Sequence, residues 1–219
     1  MNPAEAMLAQ IQGTTPDTAE DIYQQLYPYC TQGSMGRTDA TRLCTAILHL
    51  QAKTRAPVIR SYCLLYLSAV ADSGKLTATS LLSLHDCLEE VLAALVDFRA
   101  KDSAGRYIHT LNHAVALAVS LHDLGASPRW APLLDAYLRA DVPFLWNENI
   151  AMAEGLLDIV PAAAFTTLLA RLRGNGTGGA QATNKRALWM AMKILNSHKP
   201  RQKDADFQAL TCELAAMVE

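Results

Sequence analysis

The chain has 219 residues and a formal net charge of −2, with 51% hydrophobic, 18% charged and 6% aromatic residues. It is long enough for a sizeable core, too apolar for a disordered chain, and has no apolar run near the roughly 18–20 residues that span a bilayer. Few aromatics beside abundant Ala and Leu point to helices, because β-rich cores draw on Val, Ile, Tyr, Phe and Trp.

From the amino terminus, Met1-Asn2-Pro3-Ala4-Glu5 lacks the basic and apolar stretches of a secretory signal. Five cysteines (Cys30, Cys44, Cys63, Cys87 and Cys212) are an odd number at irregular spacing, as expected of reduced core thiols. The expectation is a soluble protein of a reducing intracellular compartment, with cytoplasm and mitochondrial matrix both open. The glycosylation match at Asn175-Gly176-Thr177 is read as chance in such a chain.

A 3.6-residue apolar period recurs along the chain, and strict alternation is nearly absent. Pro3 to Ile11 and Pro16 to Tyr29 read as a first helix pair. Thr41 to Gln51 and Pro57 to Val70 make the next pair, and Thr77 to Leu88 with Val91 to Phe98 make either one long helix or a bent pair. The strongest prediction spans Ile108 to Leu124, with Leu117, Leu121 and Leu124 in one stripe and Gly125 as its stop. Ser127-Pro128 then opens a helix to Arg139, as an N-cap followed by proline in the first turn. Asn149 to Val160, Ala164 to Leu172, Lys185 to Leu195 and Phe207 to Val218 follow.

First helices near Ala40, Thr77, Asn112, Asn147 and Asn184 are separated by 37, 35, 35 and 37 residues. Two helices repeated at such a period characterise an α-solenoid, because a hairpin too apolar to bury itself must stack on its neighbours. The sequence therefore predicts an all-α fold, residues 1–219 forming a single repeat domain of about five hairpins; an irregular helical bundle is the alternative.

Tetratricopeptide and ankyrin signatures are absent. The run from Ser120 to Leu134, through Leu124-Gly125, Pro128, Trp130 and Pro132, resembles degenerate helical repeats of organellar RNA-binding proteins of the octatricopeptide and RAP-associated type. The resemblance covers one repeat of about 37 residues, and the others match by spacing. It implies stacked helical pairs and a role in RNA processing or beside the ribosome.

Charge is unevenly placed. Between Ile159 and Lys203 lie Arg171, Arg173, Lys185, Arg186, Lys193, Lys199, Arg201 and Lys203 with no acid, so that section carries +8 and the remainder −10. Such a cluster suits phosphate contacts that displace counterions from RNA. The glycine-rich stretch from Gly174 to Gly179 lies inside it, with Trp189 one turn past Arg186. A basic face that docks on an acidic protein, or one that is merely solvated, fits the same residues. Gly174, Gly176 and Gly179 match a dinucleotide fingerprint in form only, since a helix precedes them and no acid appears before Asp204.

Catalytic candidates are sparse. His109 and His113 stand i, i+4, but Thr110 occupies the place of the metalloprotease glutamate and His122 falls off their face, so they read as two partly exposed helix histidines. His85-Asp86-Cys87 cannot form a triad on a helix where neighbours diverge by about 100°, and Asp86, Glu89 and Glu90 read as a solvated acidic face. Tyr23, Tyr27, Tyr29, Phe144 and Trp146 are read as packing residues, with partner anchoring as the minor alternative. The sequence therefore points to a non-catalytic component of a ribonucleoprotein, with protein subunits and RNA as partners, no cofactor, no metal, no membrane insertion and no small-molecule substrate. The alternative is a protein–protein adaptor without RNA.

Overall fold

A computed structural model describes residues 2–94, 102–106, 108–125, 212 and 216. Every regular element among them is helical: α1 (Pro3–Gln12), α2 (Ala19–Thr31), α3 (Arg37–Lys53), α4 (Pro57–Asp72), α5 (Ala78–Ala94) and α6 (Thr110–Asp123). The chain divides into two compact units, Met1–Leu95 with Arg99–Trp130, and Val96–Phe98 with Ala131–Glu219. In the second, Cys212 and Ala216 are helical, inside the span predicted for the last helix. The helices predicted between Pro128 and Leu195 lie outside the described residues.

Local chemistry sets the ends. Asn2 caps α1 through a 3.1 Å bond from the Ala4 amide to its Oδ1, with Pro3 in the first turn. α2 starts three residues later than its proline suggests. Thr15 to Thr18 close a turn in which the Thr15 amide donates to Thr18 Oγ1 at 3.0 Å, so the helix begins at Ala19. It then runs through Pro28 to Thr31. Thr77 Oγ1 accepts the Ser80 amide at 3.2 Å at the start of α5. α5 continues unbroken to Ala94, as expected for a stretch without proline or glycine. Gly125, at φ +75°, ends α6 in the left-handed turn that glycine enters freely.

Each odd helix packs on the even helix that follows it. In addition α1, α3 and α5 contact one another in chain order, as do α2, α4 and α6. α4 is the centre, with buried residues all round from Val58 to Ala71. A helix apolar on every face must be surrounded, and α2, α3, α5 and α6 all touch this one. Tyr66, Leu64 and Leu67 are fully buried on it. Tyr66 keeps its hydroxyl satisfied by donating to the Ala19 carbonyl at 2.7 Å.

Two sequence expectations change here. The repeat spacing has Asn112 opening a new pair, yet α6 lies in the same row as α2 and α4, as the second helix of a pair with α5. The continuity of α5 is the reason, since one helix occupies the place where two short ones could have stood. The apolar stripe predicted for α6 includes Leu124, which is 36% exposed because the chain leaves the helix after Asp123.

Candidate functional site

Two polar features stand out in the first unit. The first is a seam between α4 and α6. Ser61 and His113 are both buried, with Ser61 Oγ 2.9 Å from His113 Nδ1 and the Ser61 carbonyl 3.0 Å from the same nitrogen. The His109 amide donates to Ser61 Oγ at 3.2 Å. One serine thus anchors both the start of α6 and its buried imidazole.

Tyr62 extends the cluster outward, packing edge-on against the His113 ring with centroids 5.0 Å apart. Its hydroxyl donates to Glu20 Oε2 at 2.6 Å, while Gln24 donates to Oε1 at 2.6 Å. Burial lowers the pKa of His113 to about 4, against the weaker upward pull of its bond to Ser61. Burial also lowers that of His109, which Glu20 opposes. Burial alone would raise Glu20, but the Tyr62 and Gln24 hydrogen bonds and the two imidazoles together carry it down. This seam holds a neutral imidazole between packed helices.

From the sequence, both histidines read as partly exposed members of one helix. That is corrected: His113 is only 9% exposed, and His109 stands one residue ahead of α6 as its N-cap. The difference arises because α4 covers α6, which no local pattern announces. His85 is buried, Asp86 exposed and Cys87 half-buried, so these neighbours diverge as the helical geometry requires. Among the described residues no three His, Cys, Asp or Glu side chains are placed to share a metal ion. Cys30, Cys44 and Cys63 are buried free thiols pushed up to about 12, chiefly by burial.

The second feature is an open groove of about 820 Å³ where the end of α3 meets the start of α4 and the side of α5. Lys53, Arg55 and Arg60 line it beside Asp86, Cys87 and Glu90. The three basic residues and the two carboxylates are exposed, whereas Gln51 among them is only 6% exposed. Gln51 Oε1 is fully buried and has no hydrogen-bond partner. The first turn of α4 carries no side-chain cap. No sequence expectation anticipated this groove, although a signal existed. No Asp or Glu occurs between Ala40 and Ala71, while Arg42, Lys53, Arg55 and Arg60 do.

The eight basic residues proposed for RNA (Arg171, Arg173, Lys185, Arg186, Lys193, Lys199, Arg201 and Lys203) lie outside the described residues, as do Phe144, Trp146 and Trp189. Tyr23, Tyr27 and Tyr29 lie on α2, with Tyr27 42% exposed and its ring 5.8 Å from that of Tyr23. Among the described residues no helix is long and apolar enough to cross a membrane. Compared with models of protein families, with curated proteins and with solved structures, the chain matches none.

Proposed function

We propose that this chain is a non-catalytic helical-repeat component of a ribonucleoprotein assembly, touching RNA through the basic section 159–203. The observation that carries the proposal is the charge segregation, +8 over that section against −10 elsewhere. Lys and Arg at that density gain affinity from phosphates by releasing counterions. The acidic remainder is then left to protein neighbours. The resemblance of Ser120 to Leu134 to organellar RNA-binding repeats supports the same class, in ribosome-associated or RNA-processing machinery.

The arrangement proposed is a short α-solenoid. Its support is the order of packing, in which α1, α3 and α5 make one row and α2, α4 and α6 the other, as stacked hairpins do. Ser61 pairs with His113 and Ser68 with Ser120, the same offset of 52 residues two turns apart, so α4 and α6 run parallel. Second helices of stacked hairpins share that direction.

The test is charge reversal of Arg171, Arg173, Lys185 and Arg186, with RNA binding measured across a salt series. Weaker binding and a shallower salt slope are expected, the slope falling by about 0.9 for each phosphate of a duplex that is no longer neutralised and by about 0.7 for each in a single strand. Unchanged affinity and slope would remove the phosphate surface. A protein–protein adaptor is the second reading, favoured by the mixed-charge groove beside Gln51. Nuclease treatment before co-purification separates the two, since companions held through RNA leave and companions held directly stay.

A further inference from the structure

We draw no further inference here: the strongest candidate, the open and largely apolar groove between α1 and α3 lined by Leu8, Arg42, Thr45, Ala46 and His49, carries nothing because nothing in the structure shows what covers it.

Discussion

Ser68 Oγ lies 2.9 Å from Ser120 Oγ, seven residues along both helices from the Ser61–His113 pair. Two buried polar contacts at one offset hold α4 and α6 in a single register. A shift by one residue would break both contacts at once. The Ser120 hydroxyl is also within 3.1 Å of the Ala116 carbonyl, so each member of this pair is satisfied inside the protein.

This pairing predicts an asymmetry between single and double variants. Ser68→Ala should destabilise the chain by about 1 kcal/mol, because it removes a partner of the buried Ser120 hydroxyl. The double variant Ser68→Ala with Ser120→Ala should cost less than the sum of the singles, since no hydroxyl is then left half-paired. Urea denaturation of the four proteins in the cycle measures the difference. Strict additivity would mean that the two hydroxyls do not interact.

His113 makes stability depend on pH. Its pKa falls from an ordinary value near 6.5 to about 4 on folding, chiefly through burial. The unfolded chain therefore takes up the proton first as pH drops. The contribution is fully present above pH 6.5, declines between 6.5 and about 4, and levels off below that. The total is roughly 3 kcal/mol. Chemical denaturation at pH 7 and pH 4.5 should show this loss in the native chain. It should be smaller in His113→Gln, once the lower baseline stability of that variant is subtracted. An equal loss in both would assign the slope to other groups.

The central position of α4 predicts where apolar truncation costs most. Leu64 and Leu67 are fully buried, whereas Leu82 on α5 is 59% exposed. Leu64→Ala or Leu67→Ala should cost about 2–5 kcal/mol, whereas Leu82→Ala should change stability by less than about 0.5 kcal/mol. Denaturation midpoints decide it. Comparable losses at all three positions would contradict the burial.

Thiol labelling should sort the cysteines by exposure. Cys212 is exposed, Cys87 half-buried, and Cys30, Cys44 and Cys63 buried. The buried three are pushed up to about 12 and Cys87 to about 11, mainly by burial, so few thiolates exist at pH 8. In native buffer, one cysteine should react with an aromatic disulfide reagent at once, a second slowly, and the remaining three only in denaturant. Rapid reaction of all five would show that the packing of α2, α3 and α4 around Cys30, Cys44 and Cys63 opens.

How much of this was legible in the residues depended on how local its cause was. The period of the apolar residues, Pro57 in the first turn of α4 and Gly125 at the end of α6 marked helices whose ends match to within a few residues. The start of α2 escapes such a reading because two threonine hydroxyls form a turn that the intervening proline does not reveal. The candidate sites were less accessible. Lys53, Arg55 and Arg60 are visible as an acid-free basic stretch, but nothing nearby in the chain places Asp86 and Glu90 beside them.

Residue order alone was enough to make the described elements helical, to place most of their ends within a few residues, and to accumulate charge where it does, because backbone propensity, capping and composition act over a few neighbouring residues. Three outcomes came from packing instead: α6 joins the row of α2 and α4, His113 is buried against Ser61 at a separation of 52 residues, and Gln51 is left without a donor. Those outcomes rest on which faces meet. Distant helices pack according to shape and burial summed over the whole unit, so no short stretch of the chain encodes them.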